Sequence, residues 1–306
     1  QDHFNRNDKA WGSIAEKYES VLENTTIQSS VTLYSLTNAK DAERICEVAV
    51  GPGQASRMFV SSIMKKGASY FASDIADGMN ERFTKGFQDS DLASNPKVGY
   101  EWVETEEEVD VAEQAGKELR GVDRKVFHLK ANNEKLPYTS EVFDCYLASL
   151  SLNLVNNHKN QISESYRVLQ KGGVAGFTVL GRQEKCNYIT IIPEVIESLG
   201  HILSAPKDRP HPTYLADRKK IEKDFKEAGF SSVKSYYTNI NLILKDELDL
   251  FKFMAVAPVT EEFFGGLNDE QMEEFMEEYK KQYNDRFGKD TSDPLEWEIL
   301  VIIATK

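Results

Sequence analysis

The amino-acid sequence predicts an α/β fold, a sheet of seven mostly parallel strands flanked by helices. Two observations predict it. Short apolar runs alternate with helical patterns along most of the chain, and the first run opens through a glycine turn into a further helical pattern. Alternation of this kind puts crossover helices between parallel neighbours. A glycine turn between strand and helix leaves backbone N–H groups free at a helix N-terminus, where a ligand can approach closely.

In chain order, the expected strands are 44–48, 69–73, 125–129, 142–148 and 174–180, with 232–237 and 299–305 near the C-terminus. A helix is expected over 54–64, directly after the glycine turn. Three regions stand outside the alternation. Trp11, Ile14, Ala15 and Tyr18 recur at i, i+3, i+4 and i+7, one face of a helix that either packs on the core or lids a ligand. Thr105 and Glu108 form a capping box that opens an acidic helix with Val111, Ala115 and Leu119 on one face, and its charges read as a solvated surface. Asn268 is placed to cap a helix with Gln271 at its third position; Met272, Phe275, Met276, Tyr279 and Tyr283 give that helix an apolar stripe, ended by Gly288. Packing of that stripe on the sheet domain is expected.

Bulk properties remove several classes of function. The 306 residues carry 37 Lys plus Arg against 50 Asp plus Glu, a formal charge of −13, which repels phosphate backbones and argues against a nucleic-acid substrate. The three cysteines, Cys46, Cys145 and Cys186, are odd in number and widely spaced, as in a reducing compartment. The cytoplasm or another reducing compartment is the expected location; because the chain begins at Gln1, a removed mitochondrial signal stays open. No Cys-x-x-Cys or His-Glu-x-x-His spacing occurs, so no metal site is expected. No apolar run approaches the roughly 18 residues of a membrane span.

The chemistry-bearing residues sit at strand ends. Glu47 precedes the turn Ala49-Val50-Gly51-Pro52-Gly53, and Asp74 closes the second strand about 20 residues beyond Gly53. Ligands of open α/β sheets bind outside the carboxyl ends of strands, where an acid can accept both hydroxyls of a ribose. The competing reading of Asp74 is a helix cap, a role Asp77 could also fill. Asn132 and Asn133 lie just beyond the carboxyl end of the third expected strand, where an amide oxygen can accept from an adenine amine, although Asn is also common in turns.

Glu-Val-Ala-Val-Gly-Pro-Gly, Ser-Asp-Ile-Ala-Asp-Gly-Met, Asn-Asn-Glu-Lys-Leu-Pro-Tyr with Val-Phe-Asp-Cys-Tyr-Leu-Ala-Ser, and Tyr-Arg-Val-Leu-Gln-Lys-Gly-Gly follow one another in this order. Together they resemble the ordered motifs of class I S-adenosylmethionine-dependent methyltransferases, in the small-molecule branch that includes the ubiquinone and menaquinone C-methyltransferases. The resemblance covers roughly residues 9–240 and the last strand. It implies a Rossmann-like seven-stranded sheet in a single domain over 1–306, with N-terminal lid helices at 1–40 and a cofactor-binding core at 41–182. An acidic helical insertion at 85–125 and an acceptor-side part at 183–306, with a helical insertion at 240–295, complete it.

By the same resemblance S-adenosylmethionine is the cofactor. Glu47 orients the methionine amine, and Ala49, Gly51 and Gly53 form the loop the cofactor approaches, alanine standing where glycine is commonest. Asp74 takes the ribose, Ile75 covers one adenine face, Asn132 with Asn133 meets the adenine amine, and the Ser149 backbone faces the methionine moiety. A methyl group passes to a small-molecule acceptor by in-line displacement in a monomer or homodimer. His158 and Tyr188 are the catalytic candidates; His201 and His211 follow in the segment after the fifth expected strand. The competing readings are a catalytically inactive subunit of a larger assembly and a nicotinamide-dependent reductase, which lacks a Tyr-x-x-x-Lys pair in a suitable place.

Overall fold

The computed structural model describes residues 2–104, 109–116, 121–200, 211–243, 247–254, 256–257, 264, 267–287 and 297–306, without the side chains of 2–7 and 247–250. Its strands are β1 (Arg44–Val48), β2 (Ser69–Asp74), β3 (Val98–Trp102), β4 (Arg124–Lys130), β5 (Phe143–Ala148), β6 (Leu169–Leu180), β7 (Ser232–Ile240) and β8 (Trp297–Thr305). They form one sheet in the order β3-β4-β2-β1-β5-β6-β8-β7. Every pairing is parallel except those of β8, which runs antiparallel to β6 and β7. Alternation along the strands splits the core in two. Ile45, Tyr70, Val126 and Leu147 face one helical layer, and Cys46, Phe71, Phe127 and Tyr146 face the other.

The strand count corrects the expectation, eight rather than seven. The added strand, β3, lies in the stretch expected to be a purely helical insertion and pairs with β4 at the sheet edge. Its sequence, Val-Gly-Tyr-Glu-Trp, has no continuous apolar run and is only partly buried. What holds it is tertiary: the Tyr100 hydroxyl lies 3.0 Å from Nδ1 of His128 on β4, whose Nε2 lies 2.9 Å from Asn80 Oδ1. Burial pushes the His128 imidazole down to about 3, so the ring is neutral and bridges these partners as a hydrogen-bonding group. The capping residues 105–108 and Leu119 lie outside the described residues; Val111 is buried in α7 (Val111–Gly116).

The N-terminal stripe divides between two helices, α1 (Asp2–Ser13) and α2 (Ala15–Val21), followed by α3 (Glu23–Leu36). The expected helix after the glycine turn is α4 (Gln54–Met58), continued as a π-helical turn over Phe59–Ile63. Beyond β2 come α5 (Asp77–Gln88) and α6 (Asp91–Ser94), and α8 (His158–Val168) joins β5 to β6. The C-terminal half adds α9 (Asn187–Ser198), α10 (Arg218–Glu227), α11 (Glu247–Met254) and α12 (Asp269–Phe287). The capping box of α12 forms in both directions, Asn268 Oδ1 accepting from Gln271 N and Gln271 Oε1 from Asn268 N, each at 2.9 Å. Its buried residues, Phe275 and Tyr279, pack on Phe251 of α11.

Helix α1 docks on α5 backbone to backbone. A Cβ built on Gly78 would lie 2.4 Å from the Gly12 carbonyl oxygen, so only glycine permits this approach. Gly78→Ala is expected to lower stability by about 1–3 kcal/mol through overpacking and to speed proteolysis within residues 2–13. An unchanged melting temperature and cleavage rate would contradict this docking.

Candidate functional site

Sheet register assembles the site. Val48 of β1 stands beside Ser73 of β2 and Ala148 of β5, and Ser73 beside Leu129 of β4. The residues that follow each strand therefore emerge at one edge, where the connections from β1 turn to opposite sides. A cavity opens there, lined by Glu47, Ala49, Gly51, Asp74, Ile75, Asn132, Asn133, Ser149 and Tyr188 among others. Tyr18 of α2, Glu23 of α3 and Leu22 between them also line it, as do Phe253, Met254 and Trp297.

Asp74 is 6% exposed and holds the loop in place. Its Oδ2 accepts the Gly51 N–H at 2.9 Å and its Oδ1 the Ala76 N–H at 2.9 Å. Burial pushes the carboxyl up from its ordinary range, opposed by the N–H groups of Ala76, Gly51 and Ile75. An ionised carboxylate has about four acceptor positions, so two N–H bonds leave room for hydroxyl donors. Asp74 is not the cap of α5, a position held by Ala76. Asp77, the first residue of α5, pairs with Lys130 at 2.7 Å.

Two non-glycine residues in the cavity wall adopt left-handed backbone, Ala49 with φ +53° and Leu150 with φ +50°. They follow neighbouring strands β1 and β5. The Leu150 conformation is held by hydrogen bonds from its N–H to the Thr178 carbonyl and to Thr178 Oγ1, both 3.0 Å. Strain of this kind persists where surrounding structure over-determines it.

The two adjacent asparagines separate. Asn132 Oδ1 accepts the Glu134 N–H at 2.9 Å in a local turn. Asn133 is 8% exposed and its Oδ1 has no partner among the described residues. A buried, unpaired carbonyl oxygen in the cavity wall fits a ligand N–H, such as an adenine amine. Gly51 leaves the other wall open: a Cβ there would stand 3.7 Å from the Tyr18 ring.

Gly53 is placed differently from the rest of its loop. It does not line the cavity; with φ +84°, it faces Phe83 of α5, whose ring a Cβ would meet at 2.4 Å. His158 also lies outside the cavity, its Nε2 2.9 Å from Asp224 Oδ2 on α10. His211 Nδ1 pairs with Thr213 Oγ1 at 2.7 Å, and His201 lies outside the described residues. Tyr188 does line the cavity, stacked on Trp297 at 4.2 Å between centroids; its hydroxyl is pushed well above the ordinary phenol range by burial, so it is no ready base. Sequence reading missed Glu23, which lines the cavity and accepts the Gln54 N–H of α4 through Oε1 at 2.7 Å. An acid in the first turn of a helix ordinarily signals only the helix dipole, so no local pattern marked it.

Glu47 is 3% exposed. The hydroxyls of Tyr34 and Tyr70 lie 2.9 Å and 2.6 Å from its Oε2, and Tyr70 also lies 2.7 Å from Ser56 Oγ. Burial pushes the Glu47 carboxyl up from 4.5 to about 7, although both tyrosines favour the anion. The folded protein then binds a proton that the unfolded chain releases, so this contribution to stability is complete below pH 4.5 and lost by about pH 7. The stability difference between the native chain and Glu47→Gln is expected to fall by up to about 3 kcal/mol across that window; a pH-independent difference in denaturant titrations would contradict it. Ala49→Gly, which relieves the left-handed strain, is expected to change stability by between zero and about +1 kcal/mol; a clear loss would mean that the alanine methyl has a packing role.

Residues 46–177 match the family model described as a methyltransferase domain. Over 138 residues the chain is 27% identical to the ubiquinone/menaquinone biosynthesis C-methyltransferase of Klebsiella pneumoniae, a match covering 40% of this chain and 53% of the relative. The matched region thus spans about half the length of that curated relative. Among solved structures, the YcgJ protein of Bacillus subtilis superposes with TM-score 0.52 at 10% identity, covering 91% of this chain and 98% of the other. A Haemonchus contortus phosphoethanolamine N-methyltransferase, solved with S-adenosyl-L-methionine, gives TM-score 0.51 at 13% identity, covering 96% and 57%. The structural likenesses concern the fold alone. Residues 46–177 thus match a methyltransferase domain, and in the structure that stretch carries most of the parallel sheet and the loop at its switch point.

Proposed function

We propose that the chain transfers a methyl group from S-adenosylmethionine to a small molecule enclosed between the sheet edge and the lid helices. The observation that carries this reading is Asp74, which lines the cavity and braces Gly51 through its carboxylate. In this reading Asp74 takes the ribose hydroxyls, Ile75 and Met79 cover the adenine and Asn133 Oδ1 accepts its amine. The Asn132 side chain shapes the turn instead. Ala49 and Gly51 present backbone to the amino-acid portion, as do Ser149 and Leu150.

When bound, the cofactor supplies a methyl group already activated on a sulfonium. The residues around it have three tasks: to align the acceptor with that methyl, to exclude water and to remove a proton where the acceptor carries one. Leu22, Ile27, Leu154 and Leu180 supply apolar wall for the first two. Tyr188 and Trp297 form a stacked aromatic surface on the same cavity.

Calorimetric titration of S-adenosylmethionine into the purified chain tests the reading. Saturable binding is expected, and no heat at millimolar cofactor would contradict it. Asp74→Ala is expected to weaken binding by about 1–3 kcal/mol, because ribose hydroxyls lose their acceptor and the Gly51 N–H its partner. Unchanged affinity would take Asp74 out of the site.

A further inference from the structure

Glu23, Glu47, Asp74 and Glu134 all line the cavity, and among the described residues no Lys, Arg or His does. Three of them are engaged on both oxygens. Glu47 is held by Tyr34 and Tyr70, Asp74 by two backbone N–H groups, and Glu134 by the N–H groups of Asn156 and Asn157 at 3.1 and 2.9 Å.

Glu23 differs. It is 7% exposed, its Oε1 takes the Gln54 N–H, and its Oε2 has no donor among the described residues. Burial pushes its carboxyl up, with the Gln54 N–H opposing. The nearest cation in that balance, Arg57, turns its guanidinium onto the Pro52 carbonyl at 2.8 Å and does not line the cavity. Three aromatic rings of the cavity wall stand in edge contact, Trp11 with Tyr18 at 6.3 Å and Tyr18 with Phe253 at 6.0 Å between centroids.

We propose that the methyl acceptor is an amine bound as its ammonium, with Glu23 Oε2 as counter-charge and the Trp11, Tyr18 and Phe253 rings as its aromatic wall. A buried carboxylate with a spare oxygen needs a cation or an N–H donor, and aromatic rings attract ammonium groups. The same carboxylates repel a phosphate or carboxylate substrate, which would meet no compensating base. On transfer the nitrogen gives up a proton to Glu23 and its lone pair forms the new N–C bond. The methyl–sulfur bond breaks at the same time, leaving its electron pair on the now neutral sulfur. This inference rests on the methyltransferase reading and adds the acceptor class.

Its test is binding by the full chain saturated with S-adenosylhomocysteine. Benzylamine, 2-phenylethylamine and tryptamine are each compared with the alcohol and carboxylate of the same skeleton by calorimetry. At least one amine is expected to bind about tenfold tighter than both its isosteres. Glu23→Gln keeps an acceptor for Gln54 N but removes the charge; it is expected to lower that amine's affinity about tenfold while S-adenosylhomocysteine affinity stays within about twofold. Retained S-adenosylhomocysteine binding also reports that the variant is folded. No amine preference, an amine affinity unmoved by Glu23→Gln, or an equal loss for S-adenosylhomocysteine would each overturn the proposal. Failure of the native chain to bind S-adenosylhomocysteine would instead remove the methyltransferase reading, and the acceptor assignment with it.

Discussion

The site depends on one hydrogen bond between strands, from the Gly51 N–H to Asp74 Oδ2. The parallel register of β1 and β2 brings Val48 level with Ser73, so the loop leaving β1 and the acid ending β2 meet without further adjustment. That contact couples the shape of the glycine loop to the ionisation of Asp74. It also sets the path of Ala49, whose left-handed backbone is costly for any residue with a Cβ. A second strained residue, Leu150, follows the neighbouring strand β5, so non-glycine strain stands beyond two adjacent strands at the switch point. Such placement is expected where geometry serves a ligand rather than stability.

Helix α3 is tied to the same loop. Its Glu23 accepts the Gln54 N–H in the first turn of α4, so α3 is fastened to the element that follows the loop. Tyr18 on α2 bonds Thr26 on α3 at 2.8 Å and touches Phe253 on α11, which joins the N-terminal and C-terminal covers over the cavity. Glu47, Asp74 and Glu23 are held by hydroxyl or backbone donors rather than by Lys or Arg, and those donors favour the anion against the burial that opposes it. The result is a cavity wall with four acids, several aromatic rings and, among the described residues, no Lys, Arg or His.

What the sequence disclosed follows physical locality. Strand β1 is legible to the residue because its apolar run is bounded by a glycine turn, and the α12 capping box because both partners lie within one helical turn. Strand β3 was hidden because its stability comes from Tyr100 meeting His128 and from the edge of β4, contacts that no window of five residues contains. The positions of Asp74 and Gly51 were readable from motif spacing. Which of Asn132 and Asn133 keeps a free oxygen was not, since it depends on the turn that Asn132 closes with Glu134. His158 is a catalytic candidate by sequence, yet its partner Asp224 lies 66 residues away and holds it outside the cavity. Gly53 matched the loop pattern but works in packing, against Phe83.

The most direct measurement is a crystal structure of the chain with S-adenosylhomocysteine. The account predicts ribose hydroxyls on the Asp74 carboxylate with its bond to Gly51 intact, and the adenine amine within hydrogen-bonding distance of Asn133 Oδ1. A nucleoside bound elsewhere, or one whose ribose leaves Asp74 untouched, would contradict it.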